Sequence, residues 1–336
     1  MSKVRAAIDI GSNTARLMIA EPSKTQLPWN IKVCHTHITR LGQGVHASHK
    51  LQDKAMARTL SVLAEFSELL QEHDVTQDHV LAVATAAIRE SANGGDFLKR
   101  VAKETGISLC IIDGQEEARL CLQGATAVLL PQFRRDLLLV DIGGGSTEFI
   151  RAHNKGFGEA ISRKLGAVSL AETSLQSDPP ADKDYKTMLE DARQHLVEVE
   201  QSWGSARAPQ TLAGVAGTFT TLAALHLKLS PYNANQVNNH IISYTALIKL
   251  KETLLAMTHK QRAELAYIEE GRADLIIAGL AIIESIMTRW HYTELVTVDA
   301  SLLEGTWLEL GPVHTNSDRS AAAPNKASQG ARREVW

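Results

Sequence analysis

The sequence predicts an α/β protein built twice over, with two sheet-and-helix halves facing each other across a cleft. Three observations predict it. Strand-like and helix-like patterns alternate along the chain, as they do in layered α/β domains. A segment near the start, Ala7-Ile8-Asp9-Ile10-Gly11-Ser12-Asn13-Thr14, has a counterpart near the middle, Val140-Asp141-Ile142-Gly143-Gly144-Gly145-Ser146-Thr147. Each copy is an apolar strand, an aspartate, a glycine-bearing turn and a second strand, and the copies open the two halves. The length, 336 residues, suits two domains with sizeable cores.

Taken in order, Ala6 to Ile10 is a short apolar run stopped by Gly11, and Arg16 to Ala20 is the strand returning from the turn. Ile31 to Thr39 alternates weakly and reads as a third strand. From Asp53 to Glu72, Leu60, Leu63, Ala64 and Leu70 recur at helical spacing, with Asp53 placed to cap the helix. His79 to Ala84 is a strand, and Phe97 to Thr105 a helix ended by Gly106. Ser108 to Ile112 is a strand and Gln115 to Val128 a helix. Past Pro131 the pattern restarts. Leu137 to Ile142 is a solid apolar strand of the kind buried on both faces, and Thr147 to Arg151 returns from its turn. Helices are predicted over Tyr185 to Trp203, Thr218 to Leu229, Tyr244 to Met257 and Arg272 to Trp290. The last is apolar nearly all round and reads as buried. Glu294 to Asp299 is a closing strand. Pro312 to Trp336 lacks periodicity and is expected to be a disordered tail.

Composition removes several function classes. Lys+Arg is 35 against Asp+Glu 38, a net charge of −3, so generic binding to nucleic acid or an acidic membrane has little electrostatic support. The longest apolar run, Leu275 to Ile283, is too short to span a bilayer. No apolar signal stretch precedes the first strand, and a cytoplasmic, soluble protein is expected. The three cysteines, Cys34, Cys110 and Cys121, are too scattered for a disulfide framework and are expected to be small buried hydrophobes. His35 and His37 lie on one face of a strand, but no third metal ligand has compatible spacing, so they are not read as a site.

The chemistry points instead to the two turns. Their glycines let backbone N–H groups converge on an anion without any basic side chain. An aspartate at the strand end beside them is placed to hold Mg²⁺, which prefers carboxylate and phosphate oxygens. Two such turns at matched places would clamp a phosphate chain from both sides.

The chain resembles the exopolyphosphatase / guanosine pentaphosphate phosphohydrolase (Ppx/GppA) family, within the actin-like, ribonuclease H-like (ASKHA) superfamily. The matching residues are AIDIGSNTARL at Ala7–Leu17, ITRLGQGV at Ile38–Val45, ATAAIRE at Ala84–Glu90 and IIDGQEEARL at Ile111–Leu120. They continue with VDIGGGSTEFI at Val140–Ile150, GVAGTFTTLAAL at Gly214–Leu225 and RADLIIAGLAII at Arg272–Ile283. The resemblance implies duplicated actin-like domains: 1–124, completed by a helix near 301–311, and 125–300, with 312–336 as tail. It also implies roles. Glu117 would be the base that deprotonates the attacking water, Asp141 and Glu148 would bind Mg²⁺, and Arg89 would grip the transferred phosphate. Asp9, Ser12, Asn13 and Thr14 on one wall, and Gly143, Gly144, Gly145 and Ser146 on the other, would hold phosphates. Gly214, Gly217 and Thr218 would form a third turn for distal phosphates or a nucleoside. The implied activity is Mg²⁺-dependent release of orthophosphate from polyphosphate, or removal of the 5′ γ-phosphate of guanosine pentaphosphate. A non-catalytic polyphosphate or nucleotide sensor is a further reading, which intact Glu117, Asp141, Glu148 and Arg89 argue against. A homodimer is compatible with the family and not required.

Three departures from the family are visible. Ser301 and Leu303 stand where a glycine and an arginine are usual, so a role for that arginine does not carry over. Ala216 replaces a frequent glycine, which predicts a less close approach of that loop to its ligand. The helical C-terminal region of longer members is missing. With only the cleft to hold substrate, short polyphosphate and distributive cleavage are expected.

Overall fold

The computed structural model describes residues 4–24, 27–153, 156–204, 207–268 and 271–311; the expected tail, 312–336, lies outside them. The strands are β1 (Arg5–Ile10), β2 (Thr14–Pro22), β3 (Trp29–Ile38), β4 (Val80–Ala84), β5 (Leu109–Ile111), β6 (Asp136–Ile142), β7 (Thr147–His153), β8 (Gly156–Arg163), β9 (Thr211–Val215), β10 (His240–Ser243) and β11 (Glu294–Thr297). The helices are α1 (Val45–Ser48), α2 (Asp53–Glu72), α3 (Ala86–Arg89), α4 (Gly94–Thr105), α5 (Gly114–Val128), α6 (Ala167–Ser174), α7 (Asp182–Trp203), α8 (Ala216–Leu227), α9 (Ala234–Val237), α10 (Tyr244–Leu255), α11 (His259–Ala263), α12 (Leu275–Trp290) and α13 (Leu302–Glu309).

The duplication is visible in the sheets. One runs β3-β2-β1-β4-β5 and the other β8-β7-β6-β9-β11-β10. In each, three consecutive antiparallel strands are followed by two parallel ones. This is the duplicated actin-like architecture, with one extra edge strand, β10, on the second sheet.

Strand alternation then decides which side chains meet. Ile8 and Ile10 face α2 and α4 in one core, while Ala7 points the other way, into a second core shared with Leu137, Leu139, Ala118, Leu303 and Trp307. Helices α5 and α13 therefore lie between the sheets. A third core, under Leu138, Val140 and Ile142, packs the outer face of the second sheet on α7, α8 and α12. Asp9 has the parity of Ala7, and Asp141 that of Leu137 and Leu139, so both aspartates project inward.

The inner helices cross through glycines. A methyl on Gly124 would stand 2.0 Å from the Ser301 carbonyl, and one on Gly305 1.8 Å from that of Leu120. Helix α13 is tied to β1 by the Trp307 indole N–H, which donates to the Arg5 carbonyl at 3.1 Å, and by the Arg5 guanidinium over the Trp307 ring. Helix α12 is buried almost throughout, as its apolar composition predicts.

Some expectations change. Gln52, not Asp53, occupies the cap of α2, and Asp53 sits in the first turn, where its charge complements the helix dipole. Only Cys121 is buried; Cys34 and Cys110 are exposed, and all three are free thiols. Strands β8, β9 and β10 and helix α6 were not distinguished in the sequence. β9, Thr-Leu-Ala-Gly-Val, is too short to separate from the helix that follows it. Among the described residues, no helix is long and apolar enough to cross a membrane.

Candidate active site

The two matched hairpins face each other across a cleft of about 460 Å³. In the first, Asp9 pairs in register with Arg16, and the Gly11 N–H closes the turn on the Thr14 carbonyl at 2.9 Å. In the second, Asp141 pairs with Glu148, and the Gly143 N–H closes on the Ser146 carbonyl, also at 2.9 Å. The turns lie close: a methyl placed on Gly144 would come within 3.4 Å of the Asn13 Cβ.

Each turn is braced from behind. Thr39 and Arg40 N–H groups donate to the Asn13 carbonyl, and that of Gly42 to Ser12. The N–H groups of Ala167 and Val168, opening α6, donate to the Gly143 and Gly144 carbonyls at 2.9 Å. Gly166 must be glycine, since a Cβ would meet the Gly144 carbonyl at 2.2 Å. The Ile38–Val45 motif thus acquires a role that its residues alone did not reveal.

Helix α5 begins beside the cleft because Asp113 caps it, accepting from the Glu116 N–H at 2.9 Å. Consecutive residues diverge by about 100° around a helix, so Glu116 turns outward to Arg119 at 2.8 Å while Glu117 turns into the cleft. Arg119 also reaches Glu309 of α13 at 2.9 Å. Arg89 ends α3 with its Nη1 3.5 Å from Glu117 Oε2 and donating to the Ile112 carbonyl at 2.8 Å. It stands against Glu117 and is not among the residues lining the cleft.

Four carboxylates therefore converge: Asp9, Glu117, Asp141 and Glu148. Burial, then the charges of Glu148, Asp141 and Asp9, push Glu117 up to about 9, while Arg89 opposes the rise. Burial likewise raises Glu148 to about 7, reinforced by Asp141 and opposed by hydrogen bonds from Ser162 and Ser146. Asp9 is raised to about 7 by burial against the pull of Arg16. Asp141 is also raised by burial, though the Cys121 thiol donates to it. Such a cluster holds a deficit of positive charge. Asp9 Oδ1 is buried without a hydrogen-bond partner, the condition of a ligand oxygen awaiting a cation. An all-oxygen donor set of this kind fits Mg²⁺.

The third wall is α8, where Gly217 and Thr218 line the cleft. Gly217 lies under the Arg272 guanidinium, 1.1 Å from where a Cβ would be, so a side chain there would displace the end of that arginine. Arg272 itself lines the cleft, a cation that the sequence offered only as the first residue of a matching segment. Gly214 does not line it: it lies within β9, and its missing Cβ makes room for the Phe219 ring, 2.1 Å away. Ala216 holds a left-handed φ of 67°, a conformation that favours the glycine it replaces. Leu303 is fully buried in the core between the sheets. Ser301 caps α13, its backbone N–H donating to Glu304 at 2.7 Å, and Arg16 pairs with that same Glu304 at 3.5 Å. Arg16, Glu304, Asp299 and Tyr232 also line the cleft; no spacing along the chain brings them together.

The profile of the Ppx/GppA phosphatase family matches residues 25–314. The chain is 34% identical over 316 residues to "Exopolyphosphatase 2" of Mycobacterium tuberculosis, covering 91% of this chain and 98% of that protein. It is 27% identical over 311 residues to a "Guanosine-5'-triphosphate,3'-diphosphate pyrophosphatase" of Aliivibrio fischeri, covering 93% of this chain and 59% of that longer protein. The crystal structure of an exopolyphosphatase from Cytophaga hutchinsonii superposes with a TM-score of 0.83 at 28% identity, covering 93% of this chain and 99% of that one.

Proposed function

The chain belongs to the Ppx/GppA phosphatase family, and from that premise we propose that it is an exopolyphosphatase, hydrolysing the terminal phosphoanhydride of inorganic polyphosphate. The observation that carries this reading is the placement of Glu117 among three other carboxylates between two amide-bearing turns. Phosphoryl transfer to water needs an oriented nucleophile, charge neutralisation and positioning, and no covalent intermediate.

Glu117 is the group that accepts the proton of the attacking water. Its raised pKa makes it a stronger base than an exposed carboxylate, and Arg89 keeps it oriented and ionisable. The turns Gly11–Thr14 and Gly143–Ser146 present backbone to the terminal phosphates, and Arg272 adds positive charge on the third wall. Asp141 and Glu148, with the unpartnered Asp9 oxygen, are the residues that would hold Mg²⁺. When bound, that ion would neutralise phosphate charge and polarise the phosphorus.

Guanosine pentaphosphate hydrolysis uses the same groups and is the second reading, supported by the 27% identical A. fischeri relative. Phosphate release from short polyphosphate, long polyphosphate and guanosine pentaphosphate, compared with Mg²⁺ under matched conditions, decides between them. Preference for guanosine pentaphosphate would replace the first reading with the second. No release from any of the three would remove both.

A further inference from the structure

We propose that His35, His37 and Glu65 form a second metal site, for Zn²⁺ or a similar borderline divalent ion, on the face of the first sheet turned away from the cleft. The two histidines alternate along β3, so they share one face, while Cys34 and Thr36 between and beside them line the cleft. No third ligand is visible near them in sequence. The fold supplies one: helix α2 packs over this face, and Glu65 on it points back at both rings.

The geometry is that of a ligand set. His35 Nδ1 lies 3.5 Å and His37 Nε2 3.3 Å from the same oxygen, Glu65 Oε1. All three ligand atoms fall within 4.8 Å of one another. Tetrahedral Zn²⁺ with bonds of about 2.0–2.2 Å places neighbouring ligand atoms roughly 3.3–3.5 Å apart. A direct N–H···O bond would be shorter, at about 2.7–3.2 Å. His37 Nε2 is buried and makes no hydrogen bond, so it faces Glu65 without being satisfied by it. The rings are held in place: His37 packs on Phe66 with centroids 5.8 Å apart, and the two imidazoles stack at 6.0 Å. All three side chains are part-exposed, which leaves an entry path and room for water as a fourth ligand.

Donor chemistry separates this site from the cleft. Two imidazoles and one carboxylate suit Zn²⁺ and its neighbours and suit Mg²⁺ poorly. The all-oxygen cleft has the opposite preference, and the two sites share no residue.

Cobalt tests the proposal, because tetrahedral Co²⁺ absorbs visibly where octahedral Co²⁺ scarcely does. The full chain is titrated with Co²⁺ in excess Mg²⁺, alongside His35→Gln, His37→Gln and Asp141→Asn, each checked for folding by circular dichroism. One equivalent of intensely absorbing Co²⁺, displaced by Zn²⁺, is expected. Loss of even an outer partner of a ligand costs about 10–100-fold in affinity, so each histidine variant should weaken uptake about 100-fold or more. Asp141→Asn should leave it unchanged. Absence of the absorbing species, uptake indifferent to both histidine variants, or uptake lost in Asp141→Asn would each overturn the proposal. Hydrolysis is not read out, so the result is independent of the proposed activity.

Discussion

Arg16 occupies in the first hairpin the place that Glu148 occupies in the second. Each lies across the ladder from a strand-end aspartate, Asp9 for Arg16 and Asp141 for Glu148. Identical backbone devices thus carry opposite charges. The second hairpin concentrates negative charge suited to a cation. The first sets a cation beside its aspartate and, through the Arg16–Glu304 ion pair, is tied to α13. The exchange makes the two walls of the cleft differ in charge at matched positions.

Glu117→Gln keeps the shape of the side chain and removes proton acceptance. Turnover should fall about 10²-fold or more, the scale of general-base catalysis, with substrate binding largely retained. Steady-state kinetics check this; an unchanged kcat would remove Glu117 from the role.

Arg89→Gln removes the positive charge that opposes the rise of the Glu117 pKa. The base should then need a higher pH to ionise. The acid limb of the kcat/KM profile should move up by about one pH unit or more, the scale of a neighbouring charge. A limb that stays in place would show that Glu117 does not feel Arg89.

Asp9→Asn tests the charge deficit. The folded-state pKa of Asp9 is raised to about 7, above an unfolded value of about 3.9. A carboxyl raised in this way supports the fold below the unfolded pKa and withdraws that support as pH climbs through the folded one. Metal-free wild type should therefore lose stability between about pH 4 and 7. At pH near 8 the asparagine variant should be more stable, on the order of 1–3 kcal/mol. Thermal melts with a chelator decide it, and a variant no more stable than wild type would contradict the assignment.

Ala216→Gly should relieve the left-handed backbone at the head of α8. An L-residue pays roughly 1–2 kcal/mol there, partly offset by the greater chain entropy of unfolded glycine. A gain of up to about 1 kcal/mol is expected, read as a higher melting temperature. A lower one would mean that the Ala216 methyl has packing worth more than the strain.

Much of this was legible in sequence because it is local. The repeat gave both hairpins, and register then forces Asp141 and Glu148 together once the turn length is known. Glu117 was legible only through a resemblance, since nothing in its helix points to a cleft. What escaped depends on long-range packing. Gly214 and Gly217 look alike in sequence, yet one accommodates Phe219 and the other Arg272. Arg89, expected to grip phosphate, also stands 3.5 Å from Glu117, a pairing the sequence did not show. His35 and His37 lacked a third partner only until α2 folded over β3 and supplied Glu65.

The closeness of Asn13 and Gly144 sets a dimension. At Gly144 there is no side chain to rotate away, and even a methyl there would meet the Asn13 Cβ only at ordinary contact distance. On the Gly144 side the floor of the cleft is therefore backbone, whose position no rotamer changes. On the proposed reading, substrates of different length meet the same backbone seat at their reacting end. Any discrimination among them has to be made farther out, by Arg272, Tyr232 and the other groups along the rim.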